Sequence, residues 1–270
     1  MGNIYIVNVL FFLNIFLASP LGLEAKTDSL RILFIGNSYT YYHDLPVKVK
    51  KIASNIGLDN CVNIAFQMYA PGGYTLKRHL QNKNELLAIK QGKWDYVIIQ
   101  EQSSAPAKST EIVCKETYRH ARQLDSLIHV HNPYAKVIFY MTWGHKNGCK
   151  HKIENYPIIE TYEGMQERLK VSYLEMAYTN NAWCAPVGMA WKEMRKEKPS
   201  VPLYSDDGTH PSIIGTYLAA NVIWATIYQK AYKSAFIDDG LDKELAEYIQ
   251  GLAQKTVYQN RKLLNLDTVN

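Results

Sequence analysis

The sequence lacks an uninterrupted apolar stretch long enough to span a membrane, which takes about 20 residues. Its best candidate, residues 4–18, is shorter and is interrupted by Asn8 and Asn14. No Lys or Arg precedes Lys26, so the positive charge typical at the start of a secretory signal peptide is also missing. The apolar run nevertheless fits a signal peptide better than a buried first strand or helix, and Leu23-Glu24-Ala25 is a candidate cleavage site.

Removal of residues 1–25 would leave residues 26–270 as one domain, exported to the periplasm or the extracellular space without membrane insertion. This length suffices for a single α/β domain with a sizeable core. The chain has no internal repeat and no low-complexity linker. Its net charge of +5 is spread along the sequence rather than gathered in a basic stripe, so we expect no nucleic-acid partner. The sequence leaves the oligomeric state open.

Two groupings that would indicate other chemistries are also missing. There is no cluster of metal-binding carboxylates, which phosphate chemistry would need, and no apolar lid of the kind expected in a lipase. His145, Cys149 and His151 lie close together in the sequence, but their spacing matches no structural zinc pattern and a fourth ligand is lacking. We therefore expect no metal and no other cofactor, and we interpret this cluster as a surface loop lining a cleft.

The four cysteines are compatible with disulfides in an oxidising compartment, with three ways of forming two bridges. Cys61 and Cys184 lie in apolar runs and are expected to be buried small hydrophobes. Cys114 and Cys149 lie in polar segments. The spacing alone does not choose among the pairings; if one bridge forms, we expect it to join Cys114 and Cys149.

Short apolar runs alternate with segments of helical periodicity along the chain. The apolar runs predict strands over residues 31–36, 61–69, 96–99, 137–142 and 183–187. The periodic segments predict helices over residues 45–56, 76–89, 111–130, 156–178, 211–232 and 241–264. This alternation is typical of an α/β protein whose parallel sheet is covered by helices on both faces.

Polar or glycine-rich segments follow four of the five predicted strands. In order, they are Asn37-Ser38, Gly72-Gly73, residues 100–103 and Trp143-Gly144-His145. Ligands of open parallel sheets bind beyond the carboxyl ends of the strands, at a topological switch point. We therefore expect these segments to converge on one rim, where the ring of Trp143 would contact the substrate.

The first of these segments and a later one, Asp207-Gly208-Thr209-His210-Pro211, carry candidate catalytic residues. A serine becomes a nucleophile when an imidazole takes its proton and a carboxylate orients that imidazole. Ser38 follows the first predicted strand, and Asp207 and His210 supply the other two groups; none of the other seven histidines has an Asp three residues before it. Alternatively, Ser38 is only a helix N-cap and Asp207-Gly208 only a turn, but this interpretation requires several coincidences of order.

These segments resemble the SGNH, or GDSL-like, hydrolases, especially exported bacterial proteins with a Gly-Asn-Ser start. The resemblance rests on short blocks at residues 34–40, 70–73 and 207–210. It implies a three-layer α/β/α sandwich with a mainly parallel, five-stranded, flavodoxin-like sheet. It also implies a triad in which Ser38 is the nucleophile, His210 the base and Asp207 the carboxylate that orients it.

The resemblance further implies an oxyanion hole made of the backbone N–H groups of Ser38 and Gly73, with Gly72 as second choice for the latter. A further block, the third in chain order, departs from the family pattern: where the family commonly has Gly-x-Asn-Asp, this chain has Gln100-Glu101-Gln102-Ser103. The usual asparagine donor is therefore absent. A glutamine amide offers the same kind of N–H donor, and we expect Gln102 to replace the asparagine, with Gln100 as second choice.

Together these features predict a serine ester hydrolase that works through an acyl-enzyme. The expected export and the polar strand-end loops favour the removal of small acyl groups, acetyl in particular, from carbohydrates. A lipid or thioester hydrolase of the same fold is the alternative within enzymes. A catalytically weak glycan-binding protein is the alternative outside them, because the third block is altered and the chain contains 20 tyrosines.

Overall fold

The computed structural model describes residues 29–57, 62–149 and 156–267. The predicted signal peptide, Cys61 and His151 lie outside the described residues. Five strands form one sheet: β1 (Leu30–Ile35), β2 (Ile64–Tyr69), β3 (Tyr96–Ile99), β4 (Lys136–Tyr140) and β5 (Trp183–Ala185). Every neighbouring pair is parallel, which confirms the predicted parallel sheet.

The strand order is β2-β1-β3-β4-β5. From β1 the chain first adds β2 on one side and then returns to add β3 on the other side. The topological switch point therefore lies between the carboxyl ends of β1 and β3. The residues just beyond these two ends are Gly36 and Gln100, so the predicted nucleophile segment and the altered third block face each other across this point.

Ten α-helices lie in the described part of the chain: α1 (Ser38–Tyr41), α2 (Leu45–Ser54), α3 (Leu76–His79), α4 (Lys83–Lys90), α5 (Thr110–Val113), α6 (Arg119–His131), α7 (Tyr162–Thr179), α8 (Val187–Glu197), α9 (Ile213–Tyr228) and α10 (Lys243–Tyr258). Helices α2, α8 and α10 each contact α9, and α3, α4 and α7 each contact α6; α7 also contacts α8. The sheet is the middle layer of a three-layer α/β/α sandwich, as predicted.

Helix α9 is apolar on all sides because it is enclosed by other elements. It contacts α2, α8, α10 and β5, and its residues from Gly215 to Ile227 are buried. The helix begins at Ile213 rather than at residue 211, because the Ser212 side chain caps it by accepting a hydrogen bond from the Gly215 N–H at 3.1 Å. This buried helix anchors the loop that carries His210.

The cysteines differ from their prediction at one point. Cys114 is an exposed free cysteine, so the predicted bridge to Cys149 is wrong. Cys184 is fully buried as predicted. Cys149 is buried as well, and its N–H donates to the carbonyl of Ile159 at 2.7 Å. Within the described residues, no helix combines the length and the apolar character that crossing a membrane demands.

Candidate active site

Ser38, His210 and Asp207 meet at the carboxyl edge of the sheet. Ser38 is the first residue of α1, directly after the β1 turn, and its Oγ lies 2.9 Å from His210 Nε2. On the other side of the ring, His210 Nδ1 is hydrogen-bonded to Asp207 Oδ2. The structure thus brings together all three predicted triad residues, although Ser38 and His210 are separated by 172 positions.

The loop that carries the histidine is held by its own carboxylate. Asp207 Oδ1 accepts hydrogen bonds from the N–H groups of Thr209 and His210 at 2.8 and 2.9 Å. Desolvation raises the pKa of Asp207, but the His210 side chain and these two N–H groups outweigh it and hold the pKa well below its usual value. Asp207 is therefore ionised at neutral pH, and 46% of its side chain is exposed to solvent.

Gln100 braces the turn that presents Ser38. Its Oε1 accepts from the N–H of Asn37 at 3.0 Å and from the Thr40 hydroxyl at 2.8 Å. Its Nε2 donates to Asn37 Oδ1 at 3.0 Å and to the carbonyl of Glu101. Both amide N–H groups are engaged, so the second-choice prediction of Gln100 as an oxyanion donor is wrong; the side chain instead fixes the nucleophile turn.

Gln102 turns toward the residues that follow it. Its Oε1 accepts from the N–H groups of Ser104 and Ala105, both at 3.0 Å, and its Nε2 lies 3.3 Å from Ser103 Oγ. These contacts cap the short 3₁₀ turn that begins at Ala105. Neither predicted glutamine therefore donates to the triad in this structure, and the role of Gln102 in an oxyanion hole stays a prediction without a supporting contact.

The turn at residues 70–73 lies against the nucleophile segment. Asn37 Nδ2 donates to the carbonyl of Tyr74 at 3.0 Å, which ties the end of this turn to the residue before Ser38. A Cβ on Gly72 would lie 3.8 Å from the Tyr41 hydroxyl. Gly73 has a φ of +67°, in the left-handed region that favours glycine. The structure thus places the second predicted segment beside Ser38.

Trp143 lies beneath the site and not on its surface. It is 0% exposed and stacks between Tyr39 and Trp191, with ring centroids 4.6 and 3.9 Å away. Its indole N–H donates to the carbonyl of Thr209 at 3.0 Å. The prediction that Trp143 contacts the substrate is wrong, because both faces of its ring are covered; it supports the loop that carries His210.

Two residues that the sequence analysis did not identify hold the histidine from the nucleophile side. The ring of Tyr42 stacks on His210, with centroids 4.4 Å apart and an interplanar angle of 13°. His43 Nε2 donates to the carbonyl of Pro211 at 3.2 Å. His43 and Asp44 both have positive φ, 49° and 56°, a costly conformation for non-glycine residues that concentrates at functional sites.

The loop after β4 contributes His145, whose Nε2 lies 3.3 Å from Ser103 Oγ. Among the described residues, no group of three or more histidines, cysteines and acidic residues is arranged to hold a metal ion. His145 thus contacts the loop after β3. The third member of the predicted cluster, His151, lies outside the described residues.

Solved structures share this architecture. A protein from Slackia heliotrinireducens that is classed with the SGNH hydrolases superposes with a TM-score of 0.59 at 25% identity, over 74% of this chain and 100% of that one. The chain has the fold of the SGNH hydrolases. That likeness supports a hydrolase of the SGNH fold.

Two further structures at lower identity show the fold alone. A DUF4886 family protein from Bacteroides uniformis has a TM-score of 0.65 at 18% identity, over 86% of this chain and 96% of its own. An acetylxylan esterase from Geobacillus stearothermophilus, solved as a catalytic mutant, has a TM-score of 0.50 at 17% identity, over 72% and 91%. No protein-family model and no curated protein sequence matches the chain.

Proposed function

We propose that this SGNH-fold protein is a serine ester hydrolase with Ser38, His210 and Asp207 as its triad. The observation that carries the proposal is the 2.9 Å contact between Ser38 Oγ and His210 Nε2, with Asp207 on the opposite ring nitrogen. A hydroxyl, an imidazole and a carboxylate in this order can pass a proton from the nucleophile and stabilise the imidazolium that results.

The reaction follows from these contacts in two steps. Ser38 Oγ attacks the ester carbonyl carbon while His210 Nε2 takes its proton; the same proton then goes to the leaving alcohol as the acyl-enzyme forms. In the second step, His210 takes a proton from water, the resulting hydroxide attacks the acyl carbon, and the proton returns to Ser38. Asp207 keeps the proton of the neutral imidazole on Nδ1, which leaves Nε2 free to act as the base.

We propose the backbone N–H groups of Ser38 and Gly73 as the donors to the tetrahedral oxyanion. Neither group is a donor in the turn, loop and cap hydrogen bonds of the described residues. The turn at Gly73 is tied to Asn37 through Tyr74. This contact supports a position of the Gly73 N–H near the ester carbonyl that Ser38 attacks. Oxyanion donors must lie about 2.7–3.1 Å from the position where the charge develops. Without a side-chain amide among them, the proposed hole is a backbone device.

We further propose small acyl esters on carbohydrates, acetyl esters in particular, as substrates. The triad is open to solvent, with the His210 and Asp207 side chains 26% and 46% exposed, so a bulky polar leaving group has access. Tyr41, the last residue of α1, is 39% exposed. Its ring can pack against the apolar side of a sugar ring. The structurally similar Geobacillus esterase acts on acetylxylan.

The test is the hydrolysis of p-nitrophenyl acetate by purified protein. We expect Ser38→Ala and His210→Ala to reduce kcat/KM by at least about three orders of magnitude. Ser54→Ala and His129→Ala, on α2 and α6 away from the triad contacts, are the matched controls and should behave as wild type. Equal rates in all five proteins would overturn the proposed triad.

The substrate class is tested separately with acetylated xylo-oligosaccharides against p-nitrophenyl palmitate and an acyl thioester. We expect the acetylated sugar to give the highest kcat/KM. Preference for the long acyl chain or for the thioester would support the lipid or thioester hydrolase instead. Glycan binding without turnover of any ester would support the binding protein.

We also propose export, with residues 1–25 as the signal peptide and residues 26–270 as one mature catalytic domain. The apolar run at residues 4–18 supports this proposal. Expression of the full chain in a bacterial host should give a periplasmic or secreted product whose mass corresponds to a start near Lys26. An intact N-terminus on a cytoplasmic product would contradict it.

A further inference from the structure

A second histidine–carboxylate pair lies next to the nucleophile turn. His79, the last residue of α3, and Glu85, in α4, are both completely buried. Glu85 Oε2 lies 2.6 Å from His79 Nδ1, and His79 Nε2 lies 2.9 Å from the carbonyl oxygen of Gly36. No step of the proposed reaction uses either group, and burying two titratable side chains is costly unless they are well paired.

We infer that His79 and Glu85 are positioning residues that hold the peptide leading into Ser38, an inference that rests on the proposed function. The Gly36 carbonyl can only accept a hydrogen bond, so His79 Nε2 carries a proton and donates it. Glu85 fixes which nitrogen bears that proton by occupying Nδ1. Glu85 thus orients an imidazole as Asp207 does, but it selects the opposite tautomer, with the proton on Nε2.

The surroundings of Glu85 indicate a neutral pair. Burial raises the pKa of Glu85, against the opposing hydrogen bond and coulombic effect of His79. Its Oε1 is buried and has no hydrogen-bond partner among the described residues. A buried oxygen without a partner costs more free energy in an ionised carboxylate than in a neutral acid. The arrangement that fits is a carboxylic acid O–H donating to Nδ1 of a neutral imidazole whose Nε2–H donates to Gly36.

The peptide group between Gly36 and Asn37, which His79 contacts, is tightly enclosed by its neighbours. The N–H of Asn37, on the same peptide group, donates to Gln100 Oε1 at 3.0 Å. A Cβ on Gly36 would lie 2.2 Å from Thr40 Oγ1, so this position has no room for a side chain. Two buried partners thus clamp both polar atoms of the peptide. Because a displacement of about 1 Å at a reacting atom can cost about 100-fold in rate, loosening this clamp should lower kcat.

The helix that carries His79 is itself tied to the loop after β3. Glu101, 1% exposed, accepts hydrogen bonds at Oε1 from the N–H groups of Leu76 and Gln102, at 3.1 and 2.7 Å. Leu76 is the first residue of α3. The positioning pair is therefore anchored at the same switch point as the nucleophile turn.

The experiment compares kcat and KM of four variants on p-nitrophenyl acetate. His79→Phe and Glu85→Ala should lower kcat by about 10- to 100-fold with little change in KM. His79→Gln retains an amide donor toward Gly36, and Glu85→Gln replaces the acid O–H by an amide N–H toward Nδ1. The kcat of His79→Gln should be at least about tenfold higher than that of His79→Phe. The kcat of Glu85→Gln should exceed that of Glu85→Ala by the same factor.

The matched control is His129→Gln, because His129 and Asp125 form a partly exposed histidine–carboxylate pair within α6, with Nδ1 and Oδ2 3.3 Å apart. It should keep the wild-type kcat. Wild-type kcat in both His79→Phe and Glu85→Ala, or a loss in Glu85→Gln as large as in Glu85→Ala, would overturn the inference. If Glu85→Ala does not fold, the two His79 variants still decide, because only a positioning role predicts rescue by glutamine.

An activity-independent measurement separates this inference from the proposed function. NMR of ¹⁵N-histidine-labelled protein should show a His79 ring with a slowly exchanging proton on Nε2 and none on Nδ1, in wild type and in Glu85→Gln. A proton on Nδ1 with a bare Nε2 would contradict the inference even if the enzyme is active. Failure of wild type to hydrolyse any ester through Ser38 would instead remove the proposed function and leave the NMR result to judge the pair.

Discussion

The two histidine–carboxylate pairs next to the nucleophile turn have the same two chemical groups in opposite environments. The side chains of His210 and Asp207 are 26% and 46% exposed, whereas those of His79 and Glu85 are 0% exposed. The His210 side chain and two backbone N–H groups hold Asp207 ionised, while burial favours the protonated form of Glu85. The difference teaches that environment assigns the role: the open pair can exchange a proton with substrate, and the buried pair can only orient the backbone.

The largest expected effect on kcat comes from replacing the carboxyl group of each pair by the corresponding amide. Asp207→Asn should reduce kcat by about 10³- to 10⁴-fold, because a neutral amide neither fixes the His210 tautomer nor stabilises its imidazolium. Glu85→Gln should cost far less, since an amide mimics the neutral acid. Steady-state kinetics of the two variants measured side by side tests the contrast. Equal losses would show that the buried pair is ionic as well.

The next effect separates the two glutamines of the altered third block. Gln100→Ala leaves the buried polar groups of Asn37 and Thr40 without their partner, and we expect it to lower the free energy of unfolding by about 2–4 kcal/mol. Gln102→Ala removes contacts that are confined to its own loop. Denaturant unfolding of both variants gives the comparison. A larger destabilisation by Gln102→Ala would contradict the role of Gln100 in holding Asn37 and Thr40 in place.

A third effect concerns Glu101, the buried carboxyl that anchors α3. Burial, only partly opposed by the N–H groups of Gln102 and Leu76, raises the pKa of Glu101 from 4.5 to about 7. Because its folded pKa lies above its unfolded one, its contribution to stability is full below pH 4.5 and is lost as the pH rises through about 7. Glu101→Gln has no such loss, so the difference in Tm between this variant and wild type should shift in favour of the variant from pH 5 to pH 8. A constant difference in Tm across this range would contradict the shift.

The smallest effect tests the aromatic contact of the open pair. Tyr42→Ala removes the ring stacked on His210, a contact worth about 0.5–1.5 kcal/mol, so kcat should fall by up to about tenfold. Tyr42→Phe keeps the ring and should retain the wild-type rate. Steady-state kinetics distinguishes the two. A loss in Tyr42→Phe as large as in Tyr42→Ala would assign the effect to the hydroxyl instead of the stack.

Much of the fold could be predicted from local patterns. The five strands are short apolar runs bounded by turn residues, and their alternation with helical periodicity leaves a parallel sheet as the simplest arrangement. The meeting of Ser38, His210 and Asp207 was also predictable, because Asp207 and His210 are close in sequence and Ser38 lies directly after a strand. In each case the deciding signal lies within a few residues of the position it concerns.

The rest depends on contacts between distant segments. The strand-end position of Trp143 favours a cleft, and only stacking with Tyr39 and Trp191 makes it core. Gln100 and Gln102 offer the same amide, so their roles differ only through their partners. The His79–Glu85 pair meets Gly36 across 43 positions, and no spacing in the sequence indicates that contact.

The most direct test of the proposed triad is mass spectrometric mapping of the residue labelled by a fluorophosphonate, which reacts with activated serines. We expect the phosphonyl group on the peptide that contains Ser38 in the wild-type protein, much slower labelling in His210→Ala, and none at this peptide in Ser38→Ala. Labelling of a different residue, or the same rate in His210→Ala as in wild type, would contradict Ser38 as a nucleophile activated by His210.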